Sequence, residues 1–254
     1  MKVFFIGCWK ISLRIATFFV IFSILLVLVF RWLPVSYTPL MFLRCIQNTG
    51  NGNVRIEHQW INGSEIPNHL QLAVVCCEDQ RFLTHHGFDF EAIQKAMDEA
   101  EDGERNRGAS TISQQTAKNV FLWPSSTFIR KGFEAWFTVL IETFWSKKHI
   151  LEVYLNSIEF GDGIYGCEAA ALHFFHKHAS ELSVTESARL AVVLPNPIKF
   201  NGGKPSAYLI KRQNWALGQM RNYGGVLKFP VEEKDNPKTK TKKSTGYPKS
   251  ETTK

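Results

Sequence analysis

Apolar residues recur every three or four positions along most of this 254-residue chain. This spacing gives an α-helix one buried face, so the pattern predicts a mostly α-helical fold. One short stretch, 54–60, suits a β-strand instead. The helical pattern predicts eight segments, at 68–82, 90–101, 111–121, 127–145, 149–156, 165–175, 184–194 and 206–222.

The most apolar part of the chain lies near the N-terminus, where residues 15–30 carry no charge. About 20 helical residues cross a bilayer core, so residues 15–33 are predicted to be a transmembrane signal anchor. Three basic residues precede this run, and positive charge favours the cytoplasmic side. Residues 1–14 are therefore predicted to be cytoplasmic. A cleaved signal peptide is disfavoured because no small-residue cleavage pattern follows the run.

Composition divides the remaining chain into three parts. Residues 34–66 are predicted to be a connector and membrane-proximal segment, with a Gly/Asn turn cluster at 48–53. Residues 67–230 hold nearly all of the helical pattern. Residues 231–254 are rich in Lys, Thr and Ser and have almost no apolar side chains, which predicts a disordered basic tail.

Charge and cysteine content narrow the functional classes. The net charge is +7, which suits an anionic partner: nucleic acid, an acidic membrane surface or a phosphate-bearing substrate. The chain has 5 cysteines, an odd number without metal-ligand spacing. This argues against a disulfide scaffold.

A polar segment directly follows the apolar run of the helix predicted at 68–82. If that helix continues, Glu78, Phe82 and His85 lie along one face, and Gly87 ends it. A carboxylate beside apolar surface has a raised pKa, which suits a general base or acid. A solvated glutamate at a helix end is the alternative interpretation.

The segment GASTISQQTAKN at 108–119 places neutral polar side chains on one helix surface. Exposed helix faces usually carry more charge, so this surface is predicted to line a polar groove, with an ordinary exposed face as the alternative. The side chains would form two columns, Ser110, Gln114 and Lys118 beside Thr111, Gln115 and Asn119. A charged loop at 101–108 precedes the segment and is predicted to be mobile.

A cluster of charges begins the helix predicted at 127–145. Arg130 and Glu134 are i, i+4 neighbours, so a plain surface ion pair is one interpretation. Together with Lys118, Arg130 and Lys131 could instead hold a diphosphate.

Two other patterns are set aside. The glycine pattern at 161–166 follows a predicted helix rather than a strand, which argues against a dinucleotide site. The spacing of His173, His176 and His178 does not place all three on one helix face, so they are interpreted as surface histidines.

Several motifs occur together and in order, namely EDQRFLTHHGFD, GASTISQQTAKNVFLW, RKGFEA, ILEVYLNSIEFGDGIYGCEAAALHFF and ESARLAVVLPNP. In these, the chain resembles the peptidoglycan glycosyltransferases, as in the transglycosylase module of class A penicillin-binding proteins. No transpeptidase domain follows, so the chain is similar to the monofunctional biosynthetic transglycosylases. The resemblance covers about residues 34–225.

The resemblance implies a mostly α fold, with a lysozyme-like helical large lobe, a smaller membrane-proximal lobe, and one N-terminal transmembrane helix. It makes residues 67–230 a glycosyltransferase domain on the outer, periplasmic side of the bacterial cytoplasmic membrane. The implied reaction joins lipid II into β-1,4-linked glycan strands and releases undecaprenyl diphosphate. The implied partners are lipid II, the growing glycan chain, membrane lipids and other cell-wall synthesis or division proteins, and not nucleic acid.

The resemblance also implies roles for individual residues. Glu78 matches the general base, and Glu134 matches a residue that assists the leaving diphosphate, directly or through a divalent ion such as Mg²⁺ or Mn²⁺. No protein metal site is predicted. The matched substrate-site residues are Asp79, Phe82, His85, Ser110, Gln114, Lys118, Arg130 and Lys131, and the matches expected to be structural are Tyr154, Asn156, Gly161 and Gly166.

One position departs from the family pattern. Relatives often carry an Arg in a stretch like RSxxRK, and Ser126 stands in that place here. Either one diphosphate contact is lost, or Arg130, Lys131 or Arg107 supplies it. Two rival functions stay open, a glycan-cleaving lysozyme-like enzyme and an inactive membrane scaffold. Retained Glu78 disfavours the scaffold, and the cation set disfavours the cleaving enzyme.

Overall fold

A computed structural model describes residues 2–49, 55–101 and 108–230. The predicted tail, most of the charged loop and most of the Gly/Asn turn cluster lie outside these ranges. The described helices are α1 Lys2–Val29, α2 Pro39–Thr49, α3 Asn68–Glu78, α4 Phe90–Glu101, α5 Ile112–Phe121, α6 Phe128–Phe144, α7 Lys147–Ser157, α8 Cys167–Phe175, α9 Val184–Val193 and α10 Ala207–Asn222. Three short strands join them, β1 Glu57–His58, β2 Glu159–Gly161 and β3 Ile164–Tyr165.

The mostly α-helical prediction is confirmed, but the first predicted helix is too long. Helix α3 ends at Glu78, and Asp79 leaves helical geometry with φ −161° and ψ 78°. Glu78, Phe82 and His85 therefore do not share a helix face, and Gly87 does not end this helix. Apolar periodicity continued past the end because Phe82 is fully buried from a turn instead.

The connector contains a helix that periodicity did not predict. Helix α2 lies between the apolar N-terminal helix and β1, and it packs against α5. Strand β1 falls inside the stretch predicted as a strand, and it pairs in parallel with β3. Strands β2 and β3 pair antiparallel, which gives the sheet order β1-β3-β2. The connector is thereby tied to the helical body.

The glycine pattern at 161–166 forms the turn between β2 and β3. Helix α7 ends at Ser157 and β2 leads into the pattern, so the prediction that only a helix precedes it is wrong at its end. Because β2 pairs antiparallel with β3, the segment is still a hairpin turn and not part of the βαβ unit of a dinucleotide site. Gly163 has φ +70°, and a Cβ there would lie 2.4 Å from the carbonyl oxygen of Arg55. The glycine is thus required by a close approach of two backbones.

The core contains two groups of packed helices, one around α3 and the other around α5. Helix α3 packs against α9 and α10, while α5 packs against α6 and α7. Most of α3 is buried, through Leu70, Leu72, Ala73, Val74, Val75 and Cys76. Burying such side chains contributes about 1.5–3 kcal/mol for each large one. The end of α3 is therefore held rigidly, and Glu78 with it.

Helix α1 begins at Lys2, before the predicted span 15–33, and it ends at Val29, before the end of that span. By length and composition, Trp9–Val29 qualifies as a membrane span of 21 residues. The helix ends at Val29, so the predicted span 15–33 runs past it. Its second half packs on α6, where Trp136 Nε1 donates to Ser23 Oγ at 3.0 Å and Phe19 contacts Phe133 edge-on.

Candidate active site

An open cleft of about 360 Å³ lies beside the end of α3. Helix α4 and the segment leading into α5 form its other walls. Its polar and charged lining consists of Glu78, Asp79, Gln80, Arg81, Asp89, Glu91, Lys95, Ser110 and Thr111. Asp89 also caps α4, because its Oδ1 accepts from the Ala92 N–H at 3.1 Å.

Glu78 is the last residue of α3, and neutral groups hold its side chain. Gln115 Nε2 donates to Glu78 Oε2 at 2.9 Å, and Tyr154 Oη donates to Gln115 Oε1 at 3.1 Å. Burial raises the pKa of Glu78, while the Gln115 hydrogen bond and the charges of Arg212 and Lys118 oppose that shift. A carboxylate with a raised pKa is suited to accept a proton near neutral pH.

Asp79 borders the cleft, but it is buried and its carboxylate bonds to the backbone and to His85. Its Oδ2 accepts from the Ile112 N–H at 3.0 Å, at the start of α5. His85 Nε2 lies 3.0 Å from the same carboxylate, and His85 Nδ1 accepts from the Gly87 N–H at 3.1 Å. The histidine therefore donates through Nε2, and these bonds fix α3, the loop after it and α5 to one another.

The predicted polar columns are partly wrong. Helix α5 begins at Ile112, so Ser110 precedes the helix and lies exposed at the cleft. Gln114 is buried in a capping box, where its side chain accepts from the Thr111 N–H at 3.0 Å. Capping turned Gln114 inward, and its neighbour Gln115 contacts Glu78 instead.

A second charged group lies at the start of α6. Glu134 is buried, with Arg130 Nη1 2.6 Å from its Oε2 and Lys131 Nζ bonded to its Oε1. Burial lowers the pKa of Lys118 on the adjacent helix α5, and the charge of Glu134 opposes this shift. The three predicted cations therefore lie on two packed helices, α5 and α6, and two of them are ion-paired with Glu134.

The donor set around Glu134 does not fit a divalent ion. Both of its oxygens are bonded to cations, which would repel a metal ion. Within the part of the chain that the structure describes, no group of three or more His, Cys, Asp or Glu side chains could hold one.

Helix α8, which contains His173, borders a different and larger cavity. That cavity has a volume of about 580 Å³ and is lined by His58, His173 and His176 among others. His178 Nδ1 lies 2.6 Å from Glu168 Oε1, and this contact raises the pKa of His178. Size alone would therefore have selected the cavity without Glu78.

Comparison with known proteins shows the family to which the chain belongs. The family model described as Transglycosylase matches residues 45–221. The chain belongs to the transglycosylase family. It is 52% identical over 229 residues to a biosynthetic peptidoglycan transglycosylase of Bacteroides thetaiotaomicron, covering 89% of this chain and 92% of that protein.

Other transglycosylases give the same result. A protein of that name from Chromohalobacter salexigens is 50% identical over 208 residues, covering 82% of this chain and 89% of its own length. The Caulobacter vibrioides protein is 49% identical over 203 residues, covering 79% and 86% respectively.

Within this transglycosylase, reasoning from sequence missed two residues beside Glu78. Gln115 was noted in a polar column but not assigned to the site, and Tyr154 was expected to be structural. Tyr154 is fully buried, yet its hydroxyl orients the amide that contacts Glu78. Asn156 fits its structural expectation, because its side chain bonds the backbone N–H and carbonyl of Ile61. Both Tyr154 and Asn156 lie on α7, and only the packing of α7 against α5 shows that Tyr154 alone contacts Gln115.

Proposed function

We propose that this transglycosylase polymerises lipid II into β-1,4-linked glycan strands, with Glu78 as the general base. The observation that carries the proposal is the arrangement along α5. At one position its Gln115 contacts Glu78, and three residues later Lys118 lies near the Arg130–Lys131–Glu134 group. Helix α5 thus lies between the base on α3 and the cations on α6, an arrangement that suits attack at one side of a sugar and departure of an anion at the other.

The reaction is a single displacement. Glu78 takes the proton from the 4-hydroxyl of the acceptor GlcNAc as that oxygen attacks C1 of the donor MurNAc. The new C1–O4 bond forms while the bond from C1 to the diphosphate oxygen breaks, which inverts α to β. The leaving group carries away the bonding electron pair as lipid diphosphate.

Negative charge develops on the leaving diphosphate, and cations stabilise it most when water is excluded. Lys118, Arg130 and Lys131 have this role in the proposal. Glu134 orients Arg130 and Lys131 through its two ion pairs, so it assists the leaving group indirectly. Among the other predicted substrate-site residues, Ser110 contacts the substrate in this proposal, whereas Asp79, Phe82, His85 and Gln114 shape the wall of the cleft.

A glycan-cleaving reaction is not favoured by this arrangement. A hydrolase expels a sugar hydroxyl, which a protonated acid assists, and it has no need of three cations around the departing group. The inactive-scaffold alternative is also disfavoured, because a buried glutamate with a raised pKa suits proton transfer and a scaffold does not need one.

Polymerisation of labelled lipid II by the purified full-length protein tests the proposal. The expected product is a ladder or smear of glycan polymer that a β-1,4-cleaving muramidase digests. Recovery of unreacted lipid II, under conditions where a relative from the comparisons polymerises it, would contradict the proposal.

We further propose that α1 anchors the protein in the cytoplasmic membrane with the cleft on the outer side. Lys2, Lys10 and Arg14 precede or begin the apolar part, and positive charge favours the cytoplasm. A C-terminal reporter that is active only in the cytoplasm should therefore be silent, and a periplasm-active reporter should give signal. The reverse pattern would show that the orientation is wrong.

A further inference from the structure

A fourth cation, Arg44, lies beside the cluster formed by Lys118, Arg130 and Lys131. It belongs to α2, which packs directly against α5. Burial chiefly lowers the pKa of Lys118, and the positive charges of Arg130, Arg44 and Lys131 act in the same direction. Helix α5 also packs against α6, so the helices that carry the four cations are direct neighbours.

The guanidinium of Arg44 has one ion-pair partner and remains partly exposed. Its Nη1 lies 3.7 Å from Oε2 of the buried Glu159, and 41% of the Arg44 side chain is exposed. Burial raises the pKa of Glu159, and the charge of Arg44 opposes that shift. One edge of the guanidinium is therefore held by a carboxylate while the rest remains available.

Unpaired donors concentrate on the same helices. Among the described residues, buried side-chain nitrogens without a hydrogen-bond partner are Nε of Arg44, Nδ2 of Asn119 and Nε of Arg130. They belong to α2, α5 and α6, and α5 packs against both of the others. Buried polar groups are usually paired, so unpaired donors beside four cations indicate a place for an anion with several oxygens.

Ser126 stands where relatives often carry an Arg, so a guanidinium for the diphosphate has to come from another residue. Ser126 lies exposed just before Thr127, the residue that caps α6. A serine hydroxyl cannot replace the two parallel, charge-assisted hydrogen bonds that a guanidinium gives to phosphate oxygens. The family model begins its match at residue 45, directly after Arg44.

We propose that Arg44 binds the diphosphate of the donor and supplies in this chain the guanidinium that Ser126 does not. The proposal rests on the proposed function, because that diphosphate is the leaving group of lipid II polymerisation. Under this proposal the diphosphate contact is not lost at Ser126, and the residue that replaces it is Arg44 of α2 rather than Arg130, Lys131 or Arg107. Helix α2 thereby becomes part of the substrate site.

Direct binding of farnesyl diphosphate to the detergent-solubilised full-length protein tests this proposal without catalysis. Arg44→Gln should weaken binding roughly 10- to 150-fold, the range expected when a charge-assisted hydrogen bond is lost. Arg55→Gln is the matched control, since Arg55 is also a half-exposed arginine paired with a glutamate, Glu57. Equal binding by wild type and Arg44→Gln would overturn the proposal.

Two further variants separate binding from a structural role. Ser126→Arg should leave wild-type affinity nearly unchanged but restore most of the affinity lost in Arg44→Gln. An increase in wild type as large as that in Arg44→Gln would show that Arg44 does not fill the missing role. Glu159→Gln combined with Arg44→Gln should bind as weakly as Arg44→Gln alone; restored binding would show that Arg44 serves only Glu159.

Turnover of lipid II distinguishes the two proposals. Arg44→Gln should raise KM for lipid II and lower kcat/KM by a similar factor to the loss of binding. If wild type binds farnesyl diphosphate but does not polymerise lipid II, the proposed function fails. The comparison between Arg44→Gln and Arg55→Gln then still decides whether Arg44 binds a diphosphate.

Discussion

Glu78 and Glu134 are both glutamates close to Lys118, yet their surroundings differ in kind. A neutral amide, itself held by a tyrosine, is bonded to Glu78, and burial raises its pKa. Glu134 has both oxygens bonded to cations. A carboxylate with neutral partners can take up a proton, whereas one whose oxygens are ion-paired organises charge. The partners, and not the residue type, divide the two roles.

Replacing Glu78 should have the largest effect on activity. Glu78→Gln keeps shape and the contact with Gln115 but removes the base, so polymerisation should fall about 10²- to 10⁴-fold. The measurement is the initial rate of labelled lipid II polymerisation. Binding of farnesyl diphosphate should stay near wild type, and a near-normal rate would show that Glu78 is not the base.

The pH dependence should follow from the shifted groups. Because the pKa of Glu78 is raised, kcat/KM should begin to fall at a pH above the ordinary glutamate value of 4.5 and then drop about tenfold per pH unit. The pKa of Lys118 is lowered, so activity should also decline at a pH below the ordinary lysine value of 10.5.

A matched variant assigns the alkaline limb. Lys118→Arg keeps the positive charge to a higher pH, since a guanidinium remains protonated. Its alkaline limb should therefore move up while its acid limb stays in place. An alkaline limb shared by both enzymes would assign that limb to another group.

Replacing the two glutamates by glutamine should change the melting temperature, Tm, in opposite directions. Folding raises the pKa of Glu78, so ionising this residue costs stability at neutral pH, and Glu78→Gln should raise Tm there. The gain is full above the raised pKa and disappears below the ordinary value. Glu134→Gln removes the partner of two cations and should cost about 1.5–3 kcal/mol, which lowers Tm by several degrees. Changes of the same sign would contradict the comparison.

The smallest effect is expected at Tyr154. Tyr154→Phe removes the hydroxyl that orients Gln115, and one such hydrogen bond changes a rate by about 2- to 10-fold. Because the Gln115 hydrogen bond lowers the pKa of Glu78, loosening it should move the acid limb to higher pH. A lower rate with an unmoved acid limb would make the role of Tyr154 purely structural.

Local patterns along the sequence determined most of the helix boundaries of this protein. Helices α4 to α10 lie within two residues of their predicted limits, because helical periodicity and capping residues act over neighbouring positions. The apolar N-terminal segment is evident from composition for the same reason. The motifs that carry the family resemblance likewise indicated Glu78, Lys118, Arg130, Lys131 and Glu134 as candidate site residues before any fold was known.

Only the tertiary structure decided which of these residues meet. Glu78 and Gln115 lie 37 positions apart, and they touch because α3 and α5 are fixed to each other by Asp79. Likewise, the helix of Arg44 lies beside the helix of Lys118 because α2, which periodicity missed, packs on α5. Spacing along a chain fixes the face of one element, but contacts between elements depend on how buried surfaces fit together, and no local pattern encodes that fit.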